Sequence, residues 1–317
     1  MNRAIRTLLL GTLLSPLLSL AATPEPIRVG ALAFGTLNWE LAAMEQEKLT
    51  QKNGIALKVD ALAGPEAGKI GIQGGSLDVI VADWIWVAQQ RLQGQDLTFV
   101  PFSALHGALV VPQNSPIQSL QDLKGKRLGV AGGGQDKNWI LLKTAAQKSQ
   151  GIDLEHTTTV TFGAPPLLSE SLKQGQLDAV LTYWNQATKL EAQGYREILN
   201  GQGIQQLLGI EGNLPTLGYV FHAGWAQSHP AEIEGFLKAT AAARKAICTS
   251  DPLWNQIATA TQETDESLRA QLRKAYCSRP VPPMEAKDIE AMTRIYEWVS
   301  PEGTSSRPLP AEVFWRH

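Results

Sequence analysis

The residues best suited to chemistry lie in four short segments. "GTLNWE" holds Gly35, Thr36, Asn38 and Trp39, and "VADWIW" holds Asp83, Trp84 and Trp86. "GGGQDKNW" holds Gly132, Gly133, Gly134, Gln135, Asp136, Lys137, Asn138 and Trp139, and "TYWN" holds Tyr183, Trp184 and Asn185. Five of the nine Trp residues (39, 84, 86, 139, 184) fall in these segments. Aromatic faces among a few amides and carboxylates suit a small, flat or cationic organic ligand. Catalysis would need a nucleophile beside a base, or a metal, and no such pairing is evident. His106, His156, His222 and His229 are scattered without ligand spacing, so neither a metal nor a cofactor is expected.

Most of these residues have a structural use as well. Asn38 and Asp136 are both favoured N-cap types at the start of helical sequence. Trp39 and Trp139, one residue into their helices, serve equally as packing between helix and sheet. Trp86 fits beneath the site rather than in it. Asp83 follows an apolar run and precedes Trp-Ile-Trp, where an unpaired charge is costly, and this favours contact with a ligand. The glycine run lacks the G-x-x-x-x-G-K-[ST] order of a phosphate loop, although bare N–H groups at a helix start favour an anionic or polar group. Asp83 and Asp136 oppose a purely anionic ligand unless Lys137 or another cation offsets them. A ligand with donors and acceptors fits best: an amine, an amino-heterocycle or a zwitterion.

The elements that must position these residues are written twice. "GSLDVIVADW" (75–84) returns as "GQLDAVLTYW" (175–184), and Asn38-Trp39 returns as Asn138-Trp139, both at an offset of 100 residues. Each half runs strand, Asn-Trp helix, strand, short helix, Gly-x-Leu-Asp strand. Continuous apolar strands such as "LDVIVA" belong inside parallel sheets, and strand–helix alternation implies right-handed βαβ units. The expected fold is α/β with two lobes about a cleft, the ligand lying at the carboxyl ends of the strands. Lobe 1 is expected over 23–108 plus 216–317 and lobe 2 over 109–215. The hinge crossings are expected near 103–112 and 212–222. Helices at 231–249, 252–262, 265–277 and 285–299 are expected to pack on lobe 1.

Composition agrees. A chain of 317 residues, 44% apolar and 18% charged, is globular in type and long enough for two domains. Residues 1–22 read as a secretory signal peptide: Arg3 and Arg6, an apolar run from Leu8 to Leu20, then small residues. Cleavage after Ala21 or Ala22 fits, and the core is short for a membrane anchor. The 28 basic side chains less Arg3 and Arg6, against 30 acidic ones, leave a net charge of −4. Nothing there suggests nucleic acid as a partner. The mature chain is expected to be exported, free of a lipid anchor and monomeric. Cys248 and Cys277 form a disulfide in an oxidising compartment, closing a loop of 29 residues for roughly 3 kcal/mol. Two buried thiols are the alternative.

Several stretches together resemble a known group: the leader, "DLKGKRLGVAGGGQDKNWILLK", the repeated Gly-x-Leu-Asp strands, "VADWIWV" and "TYWNQATKLEAQGY". They are similar to the periplasmic solute-binding proteins of ABC importers, of the nitrate, sulfonate, taurine and pyrimidine-precursor type. The resemblance covers essentially the whole mature chain. It implies a two-lobe receptor that closes on a solute by hinge motion and then docks on an inner-membrane permease. By family position, Asn38, Trp39, Asp83, Trp84, Gly133 to Asn138 and Tyr183 to Asn185 would contact the solute, with Trp139 beside them. Where sulfonate and nitrate binders show small hydroxyl residues, this chain has Asp and Trp. An aminated or heteroaromatic solute, pyrimidine-like, therefore fits better than nitrate. The alternatives are a sulfonate or taurine-type anion receptor, and a periplasmic enzyme or ligand sensor on the same fold.

Overall fold

The computed structural model describes residues 25–212, 214–281, 284–300 and 308–316. The expected leader lies outside them. Ten strands form two five-stranded sheets. The first contains β1 (Ile27–Leu32), β2 (Leu57–Leu62), β3 (Val79–Asp83), β4 (Leu97–Ser103) and β10 (Leu217–His222), in the order β2-β1-β3-β10-β4. The second contains β5 (Ala108–Val111), β6 (Arg127–Ala131), β7 (Thr159–Gly163), β8 (Ala179–Thr182) and β9 (Arg196–Asn200), in the order β7-β6-β8-β5-β9. The repeat in sequence is thus a repeat in topology, and the two-lobe α/β expectation holds.

Two details differ from the sequence reading. The segment Arg196–Asn200, unassigned from sequence, is an edge strand paired with β5. The sheets are also mixed. β1 runs parallel to β2 and β3, as β6 does to β7 and β8, but β10 and β5 run antiparallel to their neighbours. Each of these two strands enters from the opposite lobe, so its direction is set by the crossing and not by a crossover helix. The chain changes sheet between Ser103 and Ala108 and again between Leu207 and Leu217.

The repeated Gly-x-Leu-Asp proves to be an anchor. Gly75 and Gly175 both take φ +70°, a left-handed conformation that favours glycine. Leu77 and Leu177 are buried behind them. Asp78 accepts from the Arg28 backbone N–H at 2.7 Å and from its Nε at 2.9 Å, while Arg28 Nη1 donates to the Gly75 carbonyl at 2.7 Å. Arg127, Asp178 and Gly175 reproduce this arrangement in the second lobe, at 2.8, 3.1 and 2.9 Å. In each lobe the motif ties the start of the first strand to the third, so that the third strand's far end is held in place.

The helix Pro230–Thr249 packs on the helix Leu37–Gln46 of the first lobe, and the Cys248–Cys277 disulfide joins it to the helix Glu266–Ser278. The last helix departs from expectation. Ala286–Val299 lies against the helix Lys137–Gln150 of the second lobe. Met292, Ile295 and Tyr296 share a core with Leu142 and Ala145, and the Lys148 ammonium stands 4.8 Å from the centre of the Trp298 ring. The spacing of 292, 295 and 296 makes one apolar face, and sequence alone does not say which lobe that face covers.

Candidate functional site

The carboxyl ends of β3 and β8, each running directly into a helix, face one another across the gap between the sheets. They enclose a cavity of about 100 Å³. From the first lobe its wall takes Leu32, Phe34, Thr36, Glu66, Lys69, Asp83 and Phe102; from the second it takes Gly133, Asp136, Lys137, Asn138, Tyr183, Trp184 and Asn185. Leu105 and Gly107 line it from the first crossing.

Asp83 caps the helix Trp84–Leu92, accepting the Trp86 N–H at Oδ1 (2.8 Å). It is 7% exposed, and its other oxygen has no donor among the described residues. Burial pushes its pKa above the ordinary carboxylate value, against the pull of Lys69, the Trp86 N–H and Lys137. Across the cavity, Asp136 caps the helix Lys137–Gln150 through the Asn138 N–H (2.8 Å) and accepts the Tyr183 hydroxyl at 3.2 Å. Burial, then the Asp136 charge, raise the Tyr183 phenol well above 10, so it stays protonated.

Lys137 is the unsatisfied group opposite. It is 6% exposed, and its ammonium finds no hydrogen-bond acceptor among the described residues, only the Tyr183 ring with its centre 5.5 Å away. Lys69, equally buried, is occupied by Glu66 at 3.1 Å and by the Trp86 ring at 5.5 Å. The cavity thus offers an open carboxylate oxygen from one lobe and an open ammonium from the other, between apolar and aromatic walls. The lobes also touch directly. The Asn185 amide donates to the Phe34 carbonyl at 3.2 Å, and Phe34 and Tyr183 stack tilted at 6.3 Å.

Of the residues expected from sequence, Asp83, Gly133, Asp136, Asn138, Tyr183, Trp184 and Asn185 line this cavity. Asn38, Trp39, Trp84, Gly134, Gln135 and Trp139 do not. The Asn38 amide is spent on the Leu32 and Gly35 carbonyls, at 2.8 and 3.0 Å, and steadies the loop behind the wall. Trp39, Trp84 and Trp139 are fully buried in the core, each in the first turn of its helix. Sequence reasoning left out Lys69, Glu66 and Phe34. One signal was present for the first two: Pro65 starts a helix after β2, which aims that helix's first turn at the same strand ends. No cluster of His, Cys, Asp and Glu suited to a metal occurs among the described residues, and no helix there is long and apolar enough to cross a membrane.

Solved structures share this fold along nearly the whole chain. The alkanesulfonate-binding protein SsuA from Xanthomonas axonopodis pv. citri, bound to MOPS, is 21% identical with a TM-score of 0.70, covering 94% of this chain and 100% of that one. The periplasmic aliphatic sulphonate binding protein SsuA from Escherichia coli is 20% identical with a TM-score of 0.67, covering 86% of each chain. The periplasmic nitrate-binding protein NrtA from Synechocystis PCC 6803 is 10% identical with a TM-score of 0.67, covering 89% of this chain and 84% of that one. Among curated proteins, none matches the chain in sequence. Residues 34–252, about two thirds of the sequence and most of both sheets, match the profile described as NMT1/THI5 like, and the chain belongs to that family.

Proposed function

We propose that this chain is the exported solute receptor of an ABC importer, capturing a small aminated solute between its lobes and delivering it to an inner-membrane permease. The observation that carries this reading is the pair of unmatched charges in the cavity. Asp83 and Lys137 are both more than nine-tenths buried; among the described residues the second oxygen of Asp83 has no hydrogen-bond donor, and the Lys137 ammonium has only the Tyr183 ring. A solute with a donor group for Asp83 and an acceptor for Lys137 supplies both. Family membership and the shared fold support the receptor role, and sulfonates and nitrate are what the similar structures are named for binding. Export to the periplasm rests on the leader sequence.

Volume narrows the solute. An apolar cavity of about 150 Å³ takes up benzene, and a water molecule's share of liquid is about 30 Å³. A cavity of about 100 Å³ therefore favours a short aliphatic amine or zwitterion over the amino-pyrimidine that the aromatic residues suggested. The cavity groups also suit reversible capture. Asp136 and Tyr183 hold one another, Glu66 holds Lys69, and what is left open recognises charge. Isothermal titration with 2-aminoethanesulfonate, β-alanine, ethylamine, ethanesulfonate and nitrate tests the assignment. Binding of any of the first three above the last two supports it, and preference for nitrate or ethanesulfonate overturns it.

A further inference from the structure

Trp184 starts a helix of the second lobe, yet its indole sits in a socket built by the first. It meets Trp39 edge-on at 5.7 Å and 82°, and Tyr276 at 6.4 Å. Trp39 is itself braced by Tyr276 and Trp254, both at 5.4 Å. The socket therefore comes from two distant parts of the chain, the first helix and the helix Glu266–Ser278.

Behind the socket lies a carboxylate with no direct access to the cavity. Glu40 is fully buried and accepts from four donor atoms: the hydroxyls of Tyr276 (2.5 Å) and Tyr219, and Nε (3.0 Å) and Nη2 (2.7 Å) of Arg244. Burial works against charge on Arg244, but the adjacent Glu40 leaves its pKa raised, so the guanidinium stays charged. Burial and then the Glu40 charge keep the Tyr219 and Tyr276 phenols protonated as donors. A buried carboxylate with this many donors holds Tyr276 in one place and one rotamer. The next residue, Cys277, is bonded to Cys248 and fixes the same turn from the other side.

We propose that Tyr276, held by Glu40, is a positioning residue for the solute cavity: it forms the socket that seats Trp184, and so sets the population of the closed lobes without touching solute. Closure places one wall of the cavity, because Trp184 lines it on one face while filling the socket with the other. The socket's contribution adds to the affinity for any solute, since a competent closed state that is populated less often lowers the apparent affinity by that fraction.

This inference rests on the receptor reading, but its test needs no solute. Lys189, on the helix that Trp184 begins, comes within 3.4 Å of Glu263 on the first lobe. A water-soluble carbodiimide joins that amine to that carboxylate only when the lobes are closed, and peptide mass spectrometry reads the product. Tyr276→Leu should lower the Lys189–Glu263 yield by about two- to tenfold, the value of one lost aromatic pair. Tyr276→Phe, which keeps the ring but loses the Glu40 hydrogen bond, should lower the yield less than Tyr276→Leu does, and in a Trp184→Ala background Tyr276→Leu should change nothing further. Thermal melts of each variant confirm that it is folded. The proposal is overturned if the wild-type chain gives no such product, if Tyr276→Leu matches wild type, or if its loss persists in the Trp184→Ala background. Failure of the solute titrations with these results intact would remove the aminated-solute assignment and leave the socket standing.

Discussion

Trp39 and Trp184 meet edge to face with ring centres 5.7 Å apart, one from the first helix of the first lobe and the other from the helix after β8 of the second. The sequence shows them as counterparts of a different kind, each near a repeated segment. In the folded chain they form one contact across the cleft, and only Trp184 also faces the cavity.

Trp184→Ala removes a wall of the cavity and the main aromatic contact between lobes at once. Truncating a buried aromatic anchor of this kind costs about 2 kcal/mol or more of binding, which is about thirtyfold in affinity. Titration with the best-binding solute of the panel should show that loss. The melting temperature should fall only slightly, because each lobe keeps its own core.

Asp83 makes solute binding depend on pH. Its folded-state pKa is raised, chiefly by burial, so the folded chain holds that proton more tightly than the unfolded one. The stability this gives is complete below the unfolded pKa and is lost as the pH rises through the folded one. Above that point the buried carboxylate costs stability, and a bound ammonium group offsets the cost. Affinity for an amine should therefore fall as the pH drops through the raised pKa, by up to about tenfold per unit. Asp83→Asn should bind weakly at all pH values and lose the dependence. Titrations at stepwise pH between 7.5 and 4.5, with the Asn variant alongside, check this.

Lys137→Met should separate stability from binding. The ammonium has no acceptor among the described residues, so replacing it with an apolar chain of similar length should stabilise the empty protein by about 1 kcal/mol. The same change should weaken a zwitterion by about tenfold or more, through loss of a charged hydrogen-bond donor. Thermal melts and titrations on one preparation give both numbers.

Much of the fold was legible in the sequence because it is written in periodic and repeated form. The 100-residue offset located both lobes, and the short apolar runs located their strands. The site was legible in part. Strand ends were predictable, so Asp83, Asp136 and Tyr183 were expected at the cavity wall they line; which way a Trp in a first helical turn points was not predictable. Trp139 turns inward against its sheet beside Phe162, and Trp39 turns onto Trp184, Trp254 and Tyr276; only three-dimensional placement decides this. Lys69 escaped notice because it reaches the cavity from a helix that carries no repeated motif. The Asp residues of the repeated Gly-x-Leu-Asp pair with Arg28 and Arg127 at the far end of the strand. The repetition marks the scaffold that sets Asp83 and Tyr183 in place.

The disulfide should carry stability measurable apart from binding. Closing 29 residues between Cys248 and Cys277 is worth about 3 to 4 kcal/mol in the chain-entropy model. Reduction, or the Cys248→Ala and Cys277→Ala double variant, should lower the urea midpoint accordingly. Since Cys277 adjoins Tyr276, the Lys189–Glu263 cross-link should weaken as well.

The central claim is that Asp83 and Lys137 recognise a small aminated solute, and its most direct test compares thermal shifts of the mature wild-type protein with those of Asp83→Asn and Lys137→Met. The panel is amines, amino acids, aminosulfonates, amino-pyrimidines, alkanesulfonates and nitrate. At a hundredfold excess over the dissociation constant, a native-state ligand stabilises by about 2.7 kcal/mol. The account predicts a shift with a short zwitterion or amine in wild type, lost in Asp83→Asn. A shift with an alkanesulfonate or nitrate that survives in Asp83→Asn would contradict it.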